Sequence, residues 1–283
     1  MKKIWMTGIV LLCGCWTAEA QLPEIASRIR TMAHRGDYYN APDNTLPSLQ
    51  MAIETGVDSC EFDVWATKDG HLVLLHDSTF EHVTCGACKR RVTEMTLEEV
   101  RALDVGIYKG EKWKGTQCPT LEEALKLFQG SGCIPVIEIK QPGTEKAIAD
   151  MLKAYDMVLE CAIVSFHHES IRRMWELCPG IYAYRNGGER KEMTDEEYVQ
   201  WFLDSQKDCP YRVANPSAGN MNVRTIQLLK KAGFVVSTWI VDDPQTMHLY
   251  LDAGIDTMTT NRPAVFVNVM KERKAGELLK KQK

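Results

Sequence analysis

From residue 31 to residue 260 the chain alternates short apolar runs with longer segments of helical periodicity. That alternation constrains the fold more than any other feature, because short strands buried on both faces need helical crossovers between them. Strands are expected at Thr31–His34, Asp58–Val64, Leu72–His76, Ile134–Lys140, Ala162–Phe166, Ile181–Tyr184, Tyr211–Ala214, Val235–Val241 and Asp256–Thr260. Helices are expected at Leu46–Glu54, Leu97–Leu103, Leu121–Phe128, Glu145–Tyr155, Ser170–Leu177, Asp195–Ser205, Val223–Ala232 and Gln245–Leu251. Thr96 and Glu99 have capping-box spacing, and Gly233 stands where a helix-ending glycine belongs. No Pro-, Gly- or Ser-rich linker divides the pattern. Residues 21–270 therefore read as one α/β domain, a single (β/α)8 barrel, a fold that takes roughly 250 residues.

Nine strand candidates for eight barrel positions mean that one is wrong or lies outside the barrel. Only seven residues separate Val64 from Leu72, and they include the turn-forming Lys68-Asp69-Gly70. That is too short for a helical crossover, so an irregular, non-helical connection between the second and third strands is expected. The two strands either pair as a hairpin, or the chain returns in extended form.

Charge is unevenly spread. The net value is −4, but residues 271–283 form a basic tail at +4 and residues 1–20 carry +1, which leaves −9 on residues 21–270. An acidic body argues against a phosphate-tracking nucleic-acid surface, for which a basic face is expected. The first twenty residues read as an export signal, with Lys2 and Lys3, the apolar run Ile9–Leu12, and Ala18-Glu19-Ala20 as a small-residue cleavage site before Gln21. The apolar run is too short to span a membrane. A periplasmic, mature chain beginning at Gln21 is expected. The competing reading takes Leu12-Cys13-Gly14-Cys15 as a lipoprotein box with a lipid anchor on Cys15.

Export permits disulfides, and Cys85 with Cys88 is the leading pair among the eight cysteines left after the signal. A zinc site of His82, Cys85 and Cys88 lacks a fourth ligand. Cys60 and Cys161 sit in apolar runs and read as buried thiols.

Polar groups gather at the carboxyl ends of the apolar runs, which converge on one face in a parallel barrel. Glu61 and Asp63 are two apart on one strand and so share a side, and Glu138 with Lys140 repeats the spacing on another. Three carboxylates without Cys or His among them suit a hard divalent cation, Ca²⁺ or Mg²⁺. Exposed charge pairs are the plainer alternative, but Cys60, Phe62 and Val64 on one run and Val136, Ile137 and Ile139 on the other make both faces apolar. His34 and His76 end two further runs and can divide general-acid and general-base work. Arg35 and Lys140 supply the positive charge an anionic substrate needs. The combination points to a phosphate ester.

The succession His34-Arg35-Gly36, Ala41-Pro42-Asp43-Asn44-Thr45-Leu46, Glu61-Phe62-Asp63-Val64, Thr67-Lys68-Asp69-Gly70 and Leu75-His76-Asp77 resembles the opening of the glycerophosphodiester phosphodiesterase family. The likeness continues through Pro119–Glu123, Glu138-Ile139-Lys140, Ser165-Phe166, Thr238-Trp239, Gly254-Ile255-Asp256 and Thr260–Pro263, or about residues 31–266. It implies a (β/α)8 barrel that uses a divalent cation to hydrolyse glycerophosphodiesters to glycerol 3-phosphate and an alcohol. It further implies Glu61, Asp63 and Glu138 as metal ligands, His34 and His76 as the acid/base pair, Arg35 and Lys140 on the phosphate, and Trp239 beside the substrate. The attacking oxygen comes from water or from the substrate's own glycerol hydroxyl, the latter by way of a cyclic phosphate. Two positions depart from the family pattern, Asp43 where Glu is usual and Asn261 where Asp is usual. The shorter Asp43 leaves its contact with metal or substrate open, and Asn261 is expected to have structural consequences only.

Other readings stay in view: a phospholipase D-like lyase of the same superfamily, acting on intact lipid and needing an exposed apolar rim, and a non-catalytic ligand-binding barrel. A metal-dependent amidohydrolase is disfavoured, since the first strand offers His34-Arg35 rather than two alternating histidines. The head-group alcohol, the order of acid and base, and the oligomeric state are not legible. Head-group selectivity is expected in the insertion from Tyr182 to Trp201, with Arg185, Glu189, Arg190 and Lys191.

Overall fold

The computed structural model describes residues 22–281. Eight parallel strands form the barrel: β1 (Thr31–His34), β2 (Ser59–Ala66), β4 (Ile134–Ile139), β5 (Ala162–Ser165), β6 (Tyr182–Arg185), β7 (Val213–Ala214), β8 (Val235–Trp239) and β9 (Thr257–Thr260). They are hydrogen-bonded in the order β6-β5-β4-β2-β1-β9-β8-β7, and β3 (Leu72–Leu74) pairs antiparallel with β2 outside that path. The ninth strand is thus the second arm of a hairpin, turned through Gly70 at φ 84°. The expected export segment, including Cys15, lies outside the described residues. Among the described residues no helix is long and apolar enough to cross a membrane.

Both faces of the strands are buried, as their unbroken apolar runs require. Ala33, Cys60, Phe62, Ile137, Ile139 and Ile163 point outward into the layer formed with α2 (Leu46–Thr55), α4 (Leu121–Phe128), α5 (Glu145–Ala154) and α6 (His168–Leu177). Met32, Val136, Val164, Tyr182 and Tyr184 point inward, and α1 (Glu24–Arg28) adds Ile25 to that inner cluster. Capping boxes at Thr96–Glu99, Thr120–Glu123 and Thr194–Glu197 start α3 (Leu97–Arg101), α4 and α7 (Asp195–Ser205). Two helices are absent from the sequence reading, α1 and α10. After α8 (Val223–Lys231) and α9 (Pro244–Asp252), α10 runs from Pro263 to Lys281, across residue 270, where sequence alone divides domain from tail.

The ring of strands is completed by side chains. Between β6 and β7 the Tyr211 hydroxyl accepts the Ala183 N–H at 2.5 Å and lies 2.8 Å from the Ala183 carbonyl and 3.1 Å from that of Ile181. On the other side of this seam the Gln206 carboxamide pairs with both backbone groups of Val213, at 2.7 and 3.0 Å. Beyond the strand ends the Gly187 N–H donates to the Asn215 carbonyl at 3.0 Å.

Cys85 and Cys88, the expected bridge, are free thiols, as are all eight cysteines of the described residues. Cys85 is exposed at a left-handed turn, whereas the Cys88 Sγ turns toward the Met95 sulfur at 4.0 Å. Cys60 and Cys161 are fully buried, and burial pushes both thiols far above their ordinary range.

Candidate active site

The parallel register sets the side chains side by side at the barrel's carboxyl-terminal mouth. His34 on β1 is level with Glu61 on β2, and Asp63 is level with Glu138 on β4. Ligand oxygens of Glu61, Asp63 and Glu138 lie within 4.8 Å of one another, and all three residues are buried. No other such group, and in particular no His82–Cys85–Cys88 cluster, occurs among the described residues.

Two cations face the carboxylates. Lys140 reaches Glu138 Oε1 at 2.9 Å and Asp63 Oδ1 at 3.4 Å. Arg35 takes the left-handed conformation at φ 53°, which brings its Nε to 3.5 Å from Asp63 Oδ2 and its backbone N–H to 3.2 Å from Glu61 Oε2. Gly36 follows at φ 87° because a Cβ there would fall 2.4 Å from the Ser48 hydroxyl at the start of α2. The His-Arg-Gly sequence is therefore one steric unit. Asn44, also left-handed, fixes Asp63 twice, donating to Oδ2 at 2.8 Å and accepting the Asp63 backbone N–H at 2.9 Å.

These surroundings split the carboxylates. Burial, with the charges of Asp63 and Glu138, pushes Glu61 well above the usual carboxylate range. Glu138 is raised to about 7, first by burial and then by Asp63. Burial also acts upward on Asp63, but Lys140 and Arg35 outweigh it and hold Asp63 below its ordinary value.

The histidines differ in kind. His34 is buried, and burial followed by the Arg35 charge lowers it to about 4, so the ring is neutral. Its Nδ1 faces Asn261 Oδ1 at 2.7 Å, and its Nε2 accepts from Arg35 Nε at 3.1 Å. The Asn261 amide cannot turn round, because its Nδ2 donates to Asp242 at 2.8 Å. His34 therefore carries its proton on Nδ1 and its lone pair on Nε2. The expectation that Asn261 matters only structurally is corrected here, since its side chain sets the tautomer of the imidazole. His76 is half-exposed and bonds through Nδ1 to Asp77 at 2.7 Å. It reaches the mouth by way of the hairpin: β2 runs on past the mouth, and antiparallel β3 brings the chain back to the level of Asp63, where Leu75 N–H donates to the Asp63 carbonyl at 3.2 Å.

A cavity open to solvent joins His34, Arg35, His76, Lys140 and the three carboxylates to Tyr184, Phe166 and Trp239. Phe166 meets Trp239 edge-on at 5.7 Å, and Trp239 Nε1 donates to the Asn215 carbonyl at 3.1 Å. Asp43 does not line this cavity. It borders the neighbouring one with Arg35 and His76, 3.4 Å from Arg35 Nη1 and hydrogen-bonded to the Tyr108 hydroxyl. The insertion from Tyr182 contributes only Tyr184 and Asn186 to the main cavity. Arg190 is held by Asp195 at 2.7 Å, Arg185 stacks over Trp201, and Glu189 and Lys191 face solvent. Asn44, Tyr108, Asn186, Asn215 and Asp242 are the site residues to which sequence reasoning gives no role. Asn186 and Asn215 do follow apolar runs, where uncharged amides deserve the scrutiny given to charged groups.

Carboxylates, cations and imidazoles at the mouth of eight parallel strands mark a (β/α)8-barrel enzyme. The chain belongs to the glycerophosphoryl diester phosphodiesterase family, whose model matches residues 34–265. It is similar to the glycerophosphodiester phosphodiesterase of Caldanaerobacter subterraneus subsp. tengcongensis, 32% identical over 253 residues that cover 87% of this chain and 98% of the relative. The Bacillus subtilis glycerophosphodiester phosphodiesterase is 30% identical over 265 residues, 86% of this chain and 87% of the relative. Among solved structures, an Oleispira antarctica phosphodiesterase in complex with the product sn-glycerol-3-phosphate superposes with a TM-score of 0.74 at 25% identity, covering 86% of this chain and 96% of that one. The chain is accordingly a phosphodiesterase of glycerophosphodiesters.

Proposed function

We propose that cleavage to glycerol 3-phosphate and an alcohol takes place in the main cavity, with His34 as general base and His76 as general acid. The observation that carries this reading is the convergence of two unlike imidazoles on one carboxylate cluster faced by Arg35 and Lys140. A buried cluster of carboxylate oxygens suits a hard cation, Ca²⁺ or Mg²⁺, with Glu61, Asp63 and Glu138 as its holders. When bound, that cation neutralises phosphate charge. Arg35 and Lys140 bind the remaining phosphate oxygens, and Trp239 with Phe166 forms an apolar wall against the carbon skeleton.

His34, neutral with its lone pair on Nε2, takes the proton of the attacking oxygen once substrate draws Arg35 away toward phosphate. His76 gives a proton to the departing alcohol while Asp77 holds its other nitrogen. Export as a periplasmic enzyme is supported by the charged start, apolar run and Ala18-Glu19-Ala20, and mass spectrometry of the mature amino terminus separates Gln21 from a lipidated Cys15. The function is tested by coupled detection of glycerol 3-phosphate from a panel of glycerophosphodiesters. Release that stops with chelator and resumes with Mg²⁺ or Ca²⁺ supports it, and full release in excess chelator contradicts it.

A further inference from the structure

Glu138 divides its oxygens. Oε1 lies on the side of Asp63, where Lys140 bridges the two carboxylates, and Oε2 accepts from Asn186 Nδ2 at 3.1 Å. Asn186 Oδ1 in turn accepts from Asn215 Nδ2 at 2.6 Å. Asn186 follows β6, Asn215 follows β7, and both side chains are buried. A chain of two carboxamides thus runs from the incomplete β6–β7 seam to the acidic cluster.

The chain has one direction: Asn186 turns its NH₂ toward Glu138 and its oxygen toward Asn215. Asn215 offers its own NH₂, and its side-chain oxygen is left buried with no partner among the described residues. The Asn215 backbone is held independently, its carbonyl accepting from Gly187 N–H at 3.0 Å and Trp239 Nε1 at 3.1 Å. The side chain is therefore free of the seam's own hydrogen bonding.

We propose that Asn186 and Asn215 are positioning residues for Glu138, turning its carboxylate so that Oε1 faces the other two before a cation arrives. The inference rests on Glu138 being a cation holder. Partners that orient a ligand from behind are worth about 10–100-fold in metal affinity when removed. Asn215 acts only through Asn186, so its effect vanishes when Asn186 is gone.

The test is calorimetric titration of the cation-free protein with Mg²⁺ and with Ca²⁺, using wild type, Asn186→Ala, Asn215→Ala and the double variant, each checked for folding by thermal melt. Asn186→Ala is expected to weaken cation binding by about 10–100-fold. Asn215→Ala is expected to weaken it by a smaller factor and to add nothing in the Asn186→Ala background, the non-additivity of groups in one network. In turnover, the cation concentration for half-maximal rate rises in both variants. Unchanged affinity in folded Asn186→Ala, or factors that multiply in the double variant, overturns the inference. Should Asn186→Ala not fold, unchanged affinity in Asn215→Ala overturns it equally. Absence of cation binding by wild type is a separate outcome that removes the ligand reading itself.

Discussion

The imidazole of His34 presents Nδ1 to the side-chain oxygen of Asn261 at 2.7 Å, and Asn261 is itself held by Asp242. A neutral amide in that place keeps the ring's proton on Nδ1 without adding charge, and burial followed by Arg35 outweighs the upward pull of Asn261, Asp63 and Asp43 to lower His34 to about 4. Activity that needs an unprotonated His34 is lost as pH falls through its pKa. With saturating cation, the acid limb of kcat/KM should lie well below the ordinary histidine value of about 6.5. Asn261→Asp should move that limb upward by about one pH unit or more, since a carboxylate at hydrogen-bond distance favours imidazolium. A pH–rate profile unmoved by the substitution would separate Asn261 from the base.

The cation-free site should resist ionisation. Glu61 and Glu138 are raised, Glu138 to about 7, whereas unfolded glutamates titrate near about 4.3. Between those values the folded state binds more protons than the unfolded one, so cation-free stability is greatest in acid and declines as pH rises toward 7. Cation binding should run the other way, tightening from about pH 6 to 8 and releasing protons. Calorimetry in buffers of different ionisation enthalpy reads the proton count, and binding without proton release would show that Glu138 is already ionised.

On its β6 side the seam between β6 and β7 is bridged by the Tyr211 hydroxyl. Tyr211→Phe removes the acceptor of the Ala183 N–H and leaves that buried group unpaired, a loss of about 1–3 kcal/mol. For a chain of this size Tm should fall by several degrees, at roughly 2–4 °C per kcal/mol. The carboxylates stand on β2 and β4, across the barrel, so cation affinity should hardly change. A Tm equal to wild type would show that the strands close without the side chain.

Much of this was legible because strands buried on both faces write themselves as unbroken apolar runs, and a charged residue inside such a run needs a reason. Glu61, Asp63, Glu138 and Lys140 were visible on that ground and do converge in space. The hairpin was legible only as an alternative, since seven residues fit either path; the Thr67–His71 turn, with its backbone bond of 2.8 Å, settles it. The short α1 carries too few residues for a periodicity, and α10 hides its start behind Arg262-Pro263, which reads as a stop. Tyr108 lies 65 positions from Asp43 along the chain, and Asn215 lies 29 from Asn186. Such pairs are set by packing between excursions, for which local pattern has no signal.

The most direct test of the account is the response of His34→Ala and His76→Ala to the leaving group. On a natural glycerophosphodiester each variant should lose about 10²-fold or more in turnover, with folding and cation affinity near wild type. A glycerophosphodiester carrying a nitrophenolate leaving group needs little protonation, so it should restore His76→Ala toward wild type and leave His34→Ala impaired. Rescue of His34→Ala in place of His76→Ala would reverse the two roles, and rescue of neither, with both variants losing thermal stability, would contradict acid–base catalysis by this pair.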